Sequence, residues 1–257
     1  MADTQEISSI KKSDWNGTYV PKHTAKLIKA GIENGTAPFI PQNGQISTPL
    51  VYNANTGFAL DGKDMIPVLL TKAANGYESN SVGTYNTMVG KAHTKVKQGE
   101  KGVWYNFKGK DGEFHHASYF FGEQTEHPQN FQKFAQGNFK QPQNLSNQTI
   151  KISSSDMTEY LGAYMAACKS GAKIEVSPEI AEQFKEKIVA VADNELKRTN
   201  AEKNPAIPKL TDLLTNADKK SIEIIKEREK ELGIGLKKTL EQKPKEHKRS
   251  QSQEMSM

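Results

Sequence analysis

The sequence predicts an α+β fold: a small antiparallel sheet with flanking helices, followed by an α-helical C-terminal region. Three observations carry this. Val96 to Phe107 and Glu113 to Phe121 read as aromatic-rich strands punctuated by Gly-containing turns. From Ser155 onward apolar residues recur at helical spacing. Between the two lies HPQNFQKFAQGNFKQPQNLSNQT, rich in Gln and Asn, a composition expected of a linker.

The elements follow in order. Residues 1–20 are polar and read as a flexible arm. Pro21 to Gly35 predicts a helix, with Ala25, Leu27, Ile28 and Ile32 as its apolar stripe and Gly35 as its stop. TAPFIPQNGQISTP is loop. VYNANTGFALDG reads as two short extended pieces about an Asn-Thr-Gly turn, and Met65–Ala74 and Thr84–Ala92 as short helices. Val96 to Phe107 is expected to form a hairpin turning at Gly99–Gly102, with a Lys-Asp-Gly turn at 110–112 leading to the next strand. In the linker, Phe131, Phe134 and Phe139 either pack on a neighbouring domain or stack on bases. Ser155 is the expected N-cap of a helix whose stripe is Met157, Tyr160, Leu161, Tyr164, Met165 and Cys168, ending at Gly171. That stripe places Cys168 in a core as a structural thiol. Ser177-Pro178 caps a second helix with Ile180, Phe184, Ile188 and Val191 inward. After a Pro-containing break at 204–208, a charged helix spans Lys209 to Leu232 on a thin face of Leu213, Ile222 and Ile225. The tail from 237 on is too poor in apolar residues to fold.

Composition narrows the function classes. The 257 residues suffice for one large domain or two small ones. Hydrophobic residues make up 35%, below the usual ~45–50%, so part of the chain is expected outside any core. The net charge of +5 suits a partner bearing phosphates, as it suits many proteins without one. One cysteine, Cys168, permits neither an internal disulfide nor a cysteine-based zinc site. The N-terminus lacks the apolar core of a secretory signal, and no apolar run approaches the ~20 residues of a membrane span. The expected location is cytoplasmic.

Catalytic constellations are missing from the sequence. The histidines, His23, His93, His115, His116, His127 and His247, form no HExxH pair. His115 and His116 are adjacent, and on a strand they point to opposite faces. There is no P-loop, no G-x-S-x-G and no G-x-G-x-x-G. The sequence therefore predicts a protein that is not an enzyme, with no cofactor and no metal.

What remains is lysine interleaved with aromatics. Lys91, Lys95, Lys97, Lys101, Lys108 and Lys110 cluster among Tyr85, Trp104, Tyr105 and Phe107. Non-specific binding of single-stranded nucleic acid needs this mixture, because lysines neutralise the backbone and aromatic planes stack bases. If Val96, Val103, Tyr105 and Phe107 all face the core, Trp104 stands exposed beside Lys95 and Lys97. An ordinary hairpin with a solvated basic face fits the pattern as well.

The order of motifs resembles the N-terminal single-stranded-DNA-binding domain of ArdC-type antirestriction proteins. Gly35-Thr-Ala-Pro38-Phe39 is similar to that family's Gly-x-x-Pro-aromatic loop, with phenylalanine for the usual tryptophan. Asn53-Ala-Asn-Thr56-Gly57-Phe58-Ala-Leu60-Asp-Gly62-Lys-Asp64 resembles its Asn-x-x-Thr-Gly element, with Leu60 for tyrosine and Asp64 for asparagine. Gly76-Tyr77, Thr84-Tyr85, Val96-Lys-Gln-Gly99-Glu-Lys-Gly102 and Phe121-Gly-Glu-Gln124-Thr125 follow in family order. The resemblance covers residues 24–125. It implies a DNA-binding protein of a mobile element such as a conjugative plasmid, acting in antirestriction or DNA transfer. The family's metallopeptidase-like domain is expected to be absent, since no HExxH is present.

The expected organisation is therefore an arm at 1–20, an α+β single-stranded-DNA-binding domain at 21–126, a linker at 127–150, a helical region at 151–236 and a tail at 237–257. The expected binding residues are Tyr85, Lys91, Lys95, Lys97, Lys101, Trp104 and Lys108. The expected partner is single-stranded DNA, with the helical region available to a protein partner. The alternative is an adaptor of a conjugation or secretion apparatus that keeps the fold without strong DNA binding.

Overall fold

The computed structural model describes residues 19–109, 111–112, 114–140, 145–198 and 209–233. The expected arm (save its last two residues), the break at 204–208 and the tail lie outside them. The architecture is α+β, as the sequence predicts.

Helix α1 (Tyr19–Glu33) leads to a long loop and a two-residue strand, β1 (Tyr52–Asn53). A turn brings Ala59 back to pair with Tyr52. Helix α2 (Gly62–Asn75) is capped by Asp61, whose side chain accepts from the Asp64 N–H, and ends at left-handed Gly76. Strand β2 (Ser81–Thr84) runs into the short helix α3 (Tyr85–Gly90), capped by the Thr84 hydroxyl. Strands β3 (Val103–Lys108) and β4 (Phe114–Phe121) form the long hairpin of the fold. The sheet order is β1-β2-β4-β3, with β1 parallel to β2 and the other pairings antiparallel.

The expected hairpin from Val96 to Phe107 does not form. Val96 instead pairs with Thr125, and the Lys97 N–H donates to the Gln124 carbonyl at 2.9 Å. The physical reason is the buried Gln124 amide. It donates to the Lys101 carbonyl and to Glu100 Oε2, each at 3.0 Å, and accepts from the Phe121 N–H at 2.9 Å. These bonds tie the 97–101 turn to the end of β4, so β3 finds its partner in the following strand.

Half of the expected linker is helix. Pro128–Asn138 (α4) buries Phe131 completely and Phe134 in part, and only Phe139 is left exposed. Phe131 lies against Gly83 and Gly122, where a Cβ would stand 3.0 and 3.1 Å from its ring. The two glycines let the ring close on the sheet, which the Gln-rich composition concealed.

Beyond 145 come β5 (Thr149–Ile152), α5 (Met157–Ser170), β6 (Lys173–Val176), α6 (Pro178–Lys197) and α7 (Leu210–Glu231). The parallel pair β5–β6 was not anticipated from sequence. The α5 cap is Asp156, accepting from the Thr158 and Glu159 N–H groups, rather than Ser155, whose hydroxyl bonds Gln183. Ser177 caps α6 as expected. Helix α5 is buried on nearly every side, Cys168 included, and not on one stripe alone. In α7 the inward residues are Leu210, Leu213, Leu214 and Ala217, while Ile222 is exposed. Small residues let α7 approach α5: a Cβ on Gly162 would stand 2.8 Å from the Lys220 side chain.

The segment between the halves does not divide two cores. One apolar cluster runs from Ala25, Ile28 and Phe39 through Val82, Val103 and Phe121 to Tyr164, Phe184 and Leu213. Phe39 meets Tyr164 and Phe184 edge-on with centroids 6.0 Å apart, and its carbonyl accepts from the Tyr160 hydroxyl at 3.0 Å. Tyr160 stacks on Phe184 at 3.8 Å. The helical half thus completes the burial of α1 and the first loop.

Candidate nucleic-acid interface

The sheet has two unlike faces, fixed by its register. Val103 opposes Tyr119, Tyr105 opposes Ala117 and Phe107 opposes His115 on the face turned to the main core. Trp104 opposes Ser118 and Asn106 opposes His116 on the other. The first face leaves the core as the strand proceeds. Val103 is buried, Tyr105 is half-buried and stacked on Tyr119 at 4.0 Å, and Phe107 is exposed beside His115. Phe107 therefore does not join the core as expected: it lies near the far end of β3, the edge strand of the sheet.

Val96 does not share the core side with Val103 either. It packs, as Phe120 and Phe134 do, against a separate small cluster that includes Tyr52, Met88, Ala92 and Phe131. Trp104 lies on the sheet face away from Val103, half-buried, with its ring 5.7 Å from His116. The expectation of an exposed tryptophan is thus corrected to a half-buried one, while α4 covers part of this face through Phe131, which lies against Gly83 and Gly122.

The lysines fall in two groups. Lys95, Lys97 and Lys101 are exposed around the 97–101 turn, where the Lys97 amine donates to the Glu123 carbonyl at 2.9 Å. Glu100, Glu123 and Glu126 lie in the same pairing, which dilutes the positive field there. Lys91 caps the end of α3 and donates to the Asn55 side chain. Tyr85, at the start of α3, is 54% exposed. The Lys108 side chain and Lys110 lie outside the described residues. The fold thus gathers Lys95, Lys97 and Lys101, and sets Tyr85 and Lys91 on a separate helix.

Sequence reading missed a carboxylate group beneath the sheet. Asp64, in the first turn of α2, is 8% exposed and accepts from the Tyr119 hydroxyl at 3.4 Å. Burial, then the neighbouring Asp61 charge, pushes its carboxyl up to about 7. Burial likewise raises Asp61, with Asp218 adding to it. Tyr119 is raised too, by burial and by Asp64. No single-residue signal marks such a group, since it needs α2, β4 and α7 brought together.

Fold and surface together describe an α+β module with an exposed set of lysines and aromatics. No family model matches the sequence, and no curated protein matches it. Solved structures do. The Mn(II)-bound crystal structure of the antirestriction protein ArdC from plasmid R388 is 17% identical with a TM-score of 0.51, covering 80% of this chain and 97% of that one. The metal-free structure is 14% identical with a TM-score of 0.48, covering 83% and 98%. The fold is therefore similar to that of ArdC over nearly the whole of that protein. The likeness extends beyond residues 24–125 and takes in part of the helical half, which the sequence motifs had left outside. Among the described residues no group of three or more His, Cys, Asp or Glu side chains could hold a metal ion. Among the described residues no helix is long and apolar enough to cross a membrane.

Proposed function

We propose that the protein binds single-stranded DNA, without a covalent step, in the service of a mobile element, as an antirestriction or DNA-transfer factor in the cytoplasm. The observation that carries this reading is the fold it shares with the plasmid antirestriction protein ArdC. The surface supports it through exposed Lys91, Lys95, Lys97, Lys101 and Tyr85, with Trp104 open in part. Lysines displace the counterions of the backbone, and aromatic planes stack bases at ~1–3 kcal/mol each without reading sequence. A strand held in this way is withheld from enzymes that cut it.

The test is fluorescence anisotropy of a labelled oligo-dT across a salt series. If the four exposed lysines each meet a phosphate, the logarithm of the binding constant should fall with the logarithm of salt at a slope of about −3. Absence of binding at low salt refutes the proposal.

A further inference from the structure

The turn Asn53–Phe58 and the end of α4 meet on the surface, and Gly57 permits the meeting. Its φ is +77°, and a Cβ there would stand 1.8 Å from the Asn138 carbonyl oxygen, so a side chain is excluded. Across the contact the Lys140 N–H donates to the Gly57 carbonyl at 3.0 Å. The junction holds two phenylalanines out of the core: Phe58 is 44% exposed and Phe139 37%. The Lys140 amine lies 4.0 Å from the Phe58 ring centroid. The Phe139 ring leans on Tyr52 with centroids 4.7 Å apart. From the other side Lys91 reaches the turn through Asn55, which joins the junction to α3 and its exposed Tyr85 and Val89.

We infer that this junction is a base-stacking subsite for single-stranded nucleic acid, with Phe58 and Phe139 receiving bases and Lys91 and Lys140 meeting phosphates. The inference rests on the DNA-binding reading above and assigns it a place. Backbone bonds hold the main chain of both phenylalanines, Lys140 lies over the Phe58 ring and Tyr52 backs that of Phe139, so little ordering is needed on binding. The paired charges complement a polyanion, and aromatic planes flanked by lysines accept any base. The site lies apart from the 97–101 turn and lacks that turn's interspersed glutamates among its named residues. Tyr85 and Lys91 connect it to the residues singled out from sequence.

The experiment uses the full chain and two labelled oligonucleotides of equal length, oligo-dT and an abasic strand with the same number of phosphates. Phe58→Ala and Phe139→Ala should each weaken oligo-dT binding about fivefold or more and leave abasic binding unchanged. Phe58→Tyr should bind as the unaltered protein does, and Lys140→Gln should weaken both strands. Circular dichroism melts check that each variant is folded. If both alanine variants bind oligo-dT normally, or weaken both strands equally, the stacking assignment is overturned while the DNA-binding reading stands. If the unaltered protein binds neither strand, that reading fails and this one with it.

Discussion

Replacing Asp64 by Asn removes a carboxylate from the underside of the sheet. In the unfolded chain this group titrates near its ordinary 3.8, and in the folded protein at about 7. Between these values the folded state holds a proton that the unfolded state has lost. Its contribution to stability is therefore fully present below about pH 4, declines as pH rises, and levels off above about 7. The difference spans about three pH units, and at ~1.36 kcal/mol for each it amounts to ~4 kcal/mol. The cause is burial first and the Asp61 charge second, against which Lys63 and the Tyr119 hydroxyl favour the charged form. Asparagine has nearly the same shape and does not titrate. Urea unfolding followed by circular dichroism, from about pH 4 to about pH 8, measures the effect. The variant should gain ~4 kcal/mol relative to the unaltered protein across that range. Groups far from Asp64 titrate alike in both proteins and cancel. A stability difference that stays flat with pH refutes the assignment of this proton to Asp64.

Two further outcomes are expected. Trp104→Ala should weaken oligo-dT binding about fivefold or more with only a small shift in melting temperature, since the ring is only half-buried; a collapse of the cooperative melt would show that its role is packing. Cys168 is buried, and burial pushes its thiol up to about 12, so native protein at pH 8 should resist a thiol reagent and react only when urea unfolds it; rapid labelling of the native chain contradicts that placement.

The ends and faces of the helices were legible because their signals are local. Ser177 caps within three residues of itself, Gly171 stops α5 by its own left-handed conformation, and the 3.6-residue period marks Phe184, Ile188 and Val191 as inward. The candidate site was legible in type and only partly in place. Tyr85 and Lys91 stand on the surface where the pattern puts them, but Phe58 and Lys140 are 82 residues apart and meet only through Gly57 and the end of α4.

By itself, then, the sequence determined the α+β class, the helices other than α4, the buried thiol at Cys168 and a surplus of lysine near aromatic residues. The tertiary structure decided which strand Val103 pairs with, that Val96 and Val103 pack in different apolar clusters, that α4 is a helix and not a linker, and that both halves share one core. It alone placed Asp64 where its charge is costly. The reason is range: caps and periods depend on residues a turn or two away, whereas strand partners, sheet faces and desolvation depend on groups far apart in the chain.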